Sequence, residues 1–240
     1  MEMKIKIWND SSAENPFEAW DCEPELMYYS GGRHGNTTDC SKGKIVSFIK
    51  SKATTGMLKR HLRTICFDIF EIDLSWCEDF EQKEDQIIGE IDNADLKELY
   101  KMCTVLKIPC SLHESRGYSQ GDWAQVLIVC TDEFFERTGC LRKNTEEILK
   151  GSRELFDAWA WGDVFGFTIY DKKEFVKIPK DEYDKGNFEN VEDLFEWEQS
   201  DSCGGFYGNN FEENGMLEYV PEQLKETVKN FDMSKVIYNY

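Results

Sequence analysis

The sequence predicts an α+β protein in which a mixed or antiparallel sheet carries packed helices. Three observations lead there. Residues 3–8 alternate apolar and basic side chains, residues 124–131 form a nearly continuous apolar run, and residues 94–107 repeat apolar positions at helical spacing. Strands and helices intermix without the regular βαβ repeat of a doubly wound sheet, which leaves α+β as the class. A length of 240 residues suits a single domain with a substantial core.

In chain order, MKIKIW at 3–8 is a strand. Residues 9–43 are rich in Asn, Asp, Ser, Gly and Thr, with turn signals at Gly31-Gly32 and Gly35-Asn36, and are expected to form a long loop. Ile45, Phe48 and Ile49 have helical spacing, but Thr54-Thr55-Gly56 interrupts it, so 44–62 is expected to hold two short helices. The β-branched and aromatic residues of 65–74 point to a strand. Leu96, Leu99, Tyr100, Cys103 and Leu106 make 94–107 a helix that Pro109 stops.

The apolar run 124–131 marks a strand buried on both faces. A helix over 144–160 has Asn144 as its cap, Glu146 and Glu147 in its first turn, and Ile148, Leu149, Leu155 and Phe156 on its apolar face. VFGFTIYDKKEFVKI reads as a hairpin, with strands near 164–170 and 174–178 around Asp171-Lys172-Lys173. The stretch 181–201 reads as an acidic insertion or helix, and CGGFYG at 203–208 as a turn or irregular element. Pro221 suits the first turn of a last helix over 221–230.

Charge is the strongest functional signal. Forty-seven acids face 28 bases, a net of −19, and the excess is not spread evenly. Residues 61–100 hold 12 acids and 3 bases, and residues 161–240 hold 18 and 8, while the rest of the chain is near balance. Within 181–222 there are 13 acids and the single base Lys185, interleaved with aromatic residues. An aromatic content of 14% argues against intrinsic disorder. Charge of this kind governs partners rather than fold, and it argues against direct nucleic-acid binding. The alternative is a solvated acidic face that serves solubility.

No window approaches a membrane span, and no apolar signal-peptide run follows MEMKIKIWND, so a cytoplasmic protein is expected. Nine cysteines show no framework spacing and are expected to remain thiols, with Cys103 and Cys130 packing as small hydrophobes. His34 with Cys40, or Cys66 with Cys77, are the candidate metal ligands. Zinc sites favour tight CxxC or HxxxH pairs, which are absent, so no metal and no cofactor is expected. Neither a phosphate loop nor a dinucleotide fingerprint occurs. A Cys203–His113 nucleophile pair finds no support in the spacing.

Two sets of residues are candidate sites. Glu189, Glu192, Asp193, Glu196, Glu198, Asp201, Glu212 and Glu213 form a candidate partner-binding surface. The segment Ser115–Trp123, with Arg116, Tyr118 and Asp122, is a candidate ligand loop leading into the apolar strand; its bland reading is a tight turn.

Four ordered segments, KIWNDSSAENPFEAWD (6–21), ESRGYSQGDWAQVLIV (114–129), WGDVFGFTIYD (161–171) and DSCGGFYGNNFEENGML (201–217), together resemble a family of uncharacterised proteins carried by bacteriophages and conjugative plasmids. The resemblance covers about half the chain, and Gly204 stands where that family often has Trp. It implies a mobile-element protein in a bacterial cytoplasm and no defined reaction. Mobile elements meet restriction and CRISPR effectors, whose channels are basic. The expected function is therefore stoichiometric inhibition of such a defence nuclease or ribonucleoprotein by nucleic-acid mimicry. An enzyme that modifies a host protein or nucleotide through the Ser115–Trp123 loop, or a host-protein adaptor, is the alternative.

Overall fold

The computed structural model describes residues 2–30, 42–116, 123–186 and 192–238. The protein is α+β, with one mixed and one antiparallel sheet. The chain starts with β1 (Met3–Asn9), α1 (Pro16–Ala19), β2 (Glu25–Ser30), α2 (Lys42–Lys52) and α3 (Thr55–Arg63). A π-helical turn (Thr64–Ile69) precedes α4 (Phe80–Asn93), α5 (Leu96–Val105), β3 (Cys110–Arg116) and β4 (Trp123–Val129). Next come α6 (Asp132–Thr138), α7 (Thr145–Trp161), β5 (Val164–Lys177), α8 (Lys180–Asp184) and β6 (Glu192–Tyr207). The chain finishes with α9 (Met216–Tyr219), α10 (Glu222–Lys229) and β7 (Ile237–Tyr238). Where the sequence reads as a single domain, the contacts divide the chain into two compact units: residues 14–161, and residues 1–13 with 162–240.

In the unit formed by residues 14–161, the antiparallel sheet runs β2-β4-β3 with β4 in the middle. Period-two alternation sends Leu127 and Val129 to one face, against Ile45, Ile49, Ile87, Leu99 and Met102. Ala124, Val126 and Ile128 go to the other face, against Phe134, Phe156 and Trp161. A strand covered on both sides needs apolar residues at successive positions, as Val126 to Cys130 supply within 124–131. Helix α5 starts with a reciprocal capping box: Asp95 Oδ1 accepts from the Lys97 and Glu98 N–H groups, and Glu98 Oε2 accepts from Asp95 N–H. Asp79 and Thr131 cap α4 and α6 in the simpler way.

The second unit is built on the sheet β6-β5-β1-β7, antiparallel except for the β1–β7 pair. Ile7, Phe165, Phe167, Ile169 and Phe206 share its inner side with Met216, Leu224 and Val228 from α9 and α10.

Several sequence expectations are corrected. Residues 65–74 are not a strand. Ile65, Cys66, Ile69 and Phe70 are buried at helical spacing while Phe67 is 64% exposed, and α3 runs on into a π turn closed by Phe70 N–H to Ile65 C=O. The hairpin around Asp171-Lys172-Lys173 does not form, because β5 passes straight through and pairs with β6 along its length. A two-residue hairpin turn needs positive φ, which Asp-Lys-Lys does not favour. In the acidic stretch near 181–201, residues 181–184 belong to the helix α8 and residues 192–201 to β6, while 203–207, expected as a turn or irregular element, is the end of β6, bulged near Gly205 at φ 81°. Within the expected loop 9–43, ELMYYS at 25–30 is a strand whose partner lies about a hundred residues away.

Candidate functional site

Strand β1 pairs with β5 only as far as Asp171. Beyond it, Lys172–Lys177 and Glu192–Trp197 continue as a two-stranded ribbon. An isolated ribbon is marginal in water, so its side chains carry information about what it meets. Phe175, Val176, Leu194 and Phe195 on it are 46, 56, 36 and 57% exposed. Leu194 is opposite Phe175 on one face, and Val176 and Phe195 lie on the other. The ribbon lines a shallow cavity of about 520 Å³ with Lys172, Glu174, Phe175, Asp193, Leu194 and Phe195.

Acids rim these apolar side chains. Counted over 171–177 and 192–201, seven acids face three lysines. Glu192, Glu196, Glu198 and Asp201 share the side on which Phe167 and Ile169 face the core, at about 7 Å per two-residue step. Asp193 is on the other side. Two of the lysines are engaged: Lys173 pairs with Glu198, and Lys172 with Glu2 at 2.8 Å and Glu174 at 3.4 Å. The hydrogen bond from Lys172 to Glu2 holds its ammonium above the ordinary lysine range. Glu192, Asp193, Glu196 and Asp201 have no cation partner among the described residues.

The opposite sheet face is different in kind. Lys4 Nζ lies 4.2 Å from the Trp197 ring and 5.2 Å from that of Tyr170, and Lys6 Nζ lies 5.1 Å from Tyr170. Desolvation and then the like charge of Lys6 lower the Lys4 ammonium. Trp8 lies over the Gly166 and Gly204 backbone, and its Nε1 donates to Thr168 Oγ1 at 3.2 Å. Strand alternation has thus sorted the acids and aromatics that look interleaved along the chain.

Of the other candidates, Glu212 and Glu213 lie in the turn after β6, where Glu212 pairs with Lys229 at 3.1 Å. Glu189, Tyr118 and Asp122 lie outside the described residues, as do His34 and Cys40, and Arg116 closes β3. Cys203 is on β6 in one unit, whereas His113 is on β3 in the other, its Nε2 3.0 Å from both carboxylate oxygens of Asp157. Cys66 and Cys77 are buried thiols, and no group of three or more His, Cys, Asp or Glu side chains could hold a metal among the described residues. The acids of 61–100 belong to the unit of residues 14–161, apart from those of β6. No described helix is long and apolar enough to cross a membrane.

Sequence reasoning missed the ribbon's apolar tip, although the exposed pair Phe175-Val176 and the pair Leu194-Phe195 were visible in it. A comparison with known families, with curated proteins and with solved structures finds no match for the chain.

Proposed function

We propose that the protein is a stoichiometric inhibitor that docks the acidic β5–β6 ribbon onto a basic nucleic-acid channel of a bacterial defence nuclease. The observation that carries this reading is the ribbon beyond Asp171: four exposed apolar side chains rimmed by carboxylates, of which Glu192, Asp193, Glu196 and Asp201 have no cation partner among the described residues. Exposed apolar groups inside a charged rim are the anatomy of a binding surface. The carboxylates would meet the Lys and Arg side chains that otherwise hold phosphates. Phe175, Leu194 and Phe195 would supply the desolvated anchor. The bacterial setting and the choice of a defence effector rest on the resemblance of the four ordered segments to mobile-element proteins.

The test is competition. Purified restriction and CRISPR effectors are mixed with labelled DNA or RNA and increasing protein at low salt. Displacement of the nucleic acid that weakens as salt rises is the expected result. Charge reversal at Glu192, Asp193, Glu196 and Asp201 together should weaken it at least tenfold. Absence of competition in every complex tried would count against the proposal. Exposed Phe195 also supports the host-protein adaptor reading. Binding that survives charge reversal but not Phe195→Ser would favour that alternative.

A further inference from the structure

Three cations converge on one cavity in the unit of residues 14–161, far in sequence from the ribbon. The cavity, a shallow, open depression of about 650 Å³, lies between the end of α5, the start of β3 and the start of α7, with Lys107 and Lys143 exposed. Lys107, Lys143 and Arg153 line it, with Tyr100, Thr104 and Thr145; Glu146 is the one carboxylate in its lining. Unpaired lysines and arginines are common among the described residues, so what marks these three is that one lining gathers them and that none of them pairs with a carboxylate among the described residues. Arg153 is half-buried, and its described hydrogen bond is from Nη1 to the neutral Ser111 Oγ at 2.8 Å.

The backbone at Lys107 gives an independent indication. Helix α5 ends in a Schellman motif, with Ile108 N–H donating to Cys103 C=O at 2.8 Å and Lys107 N–H to Thr104 C=O at 3.2 Å. The residue at the turn of that motif is left-handed and is usually glycine. Here it is Lys107, at φ 57°. A lysine thus stands, in a conformation that favours glycine, in the same lining as two other cations.

We infer that this cavity binds a phosphorylated small molecule, with its phosphates held by Lys107, Lys143 and Arg153. Its volume is that of a site for a nucleotide-sized ligand. Thr104 and Tyr100 add a hydroxyl and a ring to the wall. The site belongs to the unit of residues 14–161 and does not depend on the inhibitor reading.

Calorimetric titration of the full chain at low salt tests the assignment with three probes: a nucleoside triphosphate, pyrophosphate and the unphosphorylated nucleoside. Binding of either phosphate compound without binding of the nucleoside is the expected result. Pyrophosphate as tight as the triphosphate assigns the site to the phosphates alone, and a tighter triphosphate assigns it to a nucleotide. Lys107→Gly and Lys143→Gln should each weaken binding at least tenfold. Because glycine suits the left-handed turn, Lys107→Gly should also raise the melting temperature, so its loss of binding is not a loss of fold. Failure of both phosphate compounds to bind, or equal binding by the wild type and both variants, overturns the inference.

Discussion

Trp8 lies flat on Gly166: a Cβ built on that glycine would sit 2.7 Å from Cε2 of the indole. Gly204 is under the same ring, where a Cβ would meet Trp8 Cη2 at 2.8 Å and Asp10 Oδ2 at 2.9 Å. The space that a tryptophan at 204 would enter is therefore already occupied from β1. Replacing a strand glycine with alanine ordinarily gains about 0.5–1 kcal/mol. Here Gly166→Ala should instead destabilise by about 2 kcal/mol, because the indole must leave its seat. Urea unfolding of the single variant measures this, and a stabilised Gly166→Ala protein would contradict the packing.

A second prediction concerns Glu25, which is 4% exposed at the start of β2. Its carboxylate lies 3.6 Å from Lys44 and 3.9 Å from Arg137, and Arg137 also donates to the carbonyls of Asp21 and Glu23. Arg137→Ala leaves a buried charge with one partner and frees two carbonyls, and should cost about 3 kcal/mol. Adding Glu25→Gln should recover part of that loss. A double variant whose losses simply add would show that the two residues are not coupled.

Glu23 should respond to pH in a defined direction. Burial is the largest influence on its carboxyl and raises it above the ordinary 4.5, against smaller opposing hydrogen bonds from Ser152 and Cys22. A carboxyl raised on folding opposes folding above its folded value, and the opposition disappears below 4.5. Glu23→Gln should therefore gain stability relative to the wild type at pH 7. That advantage should shrink as pH falls toward 4.5. Thermal melts across this range measure it, and an advantage that grows on acidification would refute the assignment.

The thiols of Cys103 and Cys110 influence each other: Cys103 holds the half-buried Cys110 thiol below its ordinary range, while the buried Cys103 is pushed up by Cys110 and by burial. Cys103→Ala removes that neighbour. Alkylation of Cys110 near pH 8, followed by mass spectrometry, should slow in this variant. An unchanged rate would mean that Cys103 does not set the reactivity of Cys110.

Asp132 predicts an acid limit on stability. Hydrogen bonds from Lys52 and Arg142 hold its carboxyl below the usual 3.8. The contribution is complete above the unfolded carboxyl value and disappears as pH falls through the lower folded one. Asp132→Asn should thus lose stability at pH 7 and approach the wild type below about pH 3. A loss of equal size at both pH values would indicate packing rather than charge.

Periodicity made β1, α5, β4 and α7 legible, because each buries a face that its own spacing declares. Leu96, Leu99 and Cys103 mark the buried side of α5, and the run from Ala124 to Val129 marks a strand covered twice. Local signals failed where a distant partner decides. ELMYYS becomes a strand because β4 lies beside it, and Asp171-Lys172-Lys173 stays extended because β6 pairs across it. The candidate acids could be numbered in advance, but their separation from Trp197 and Tyr170 across a sheet could not, since that requires knowing the strand.

The sequence by itself determined the α+β class, the strongest helices, the buried strand and the location of the acid excess, all of which follow from composition and short-range spacing. Only the tertiary structure decided which charges are left over. Ion pairing depends on contacts between residues far apart in the chain: Lys173 with Glu198 on the ribbon, Lys172 with Glu2 across the sheet. The same long-range geometry brings Lys107, Lys143 and Arg153 together without a carboxylate partner among the described residues. A net charge counts the ions, while the fold determines which of them remain available to a partner.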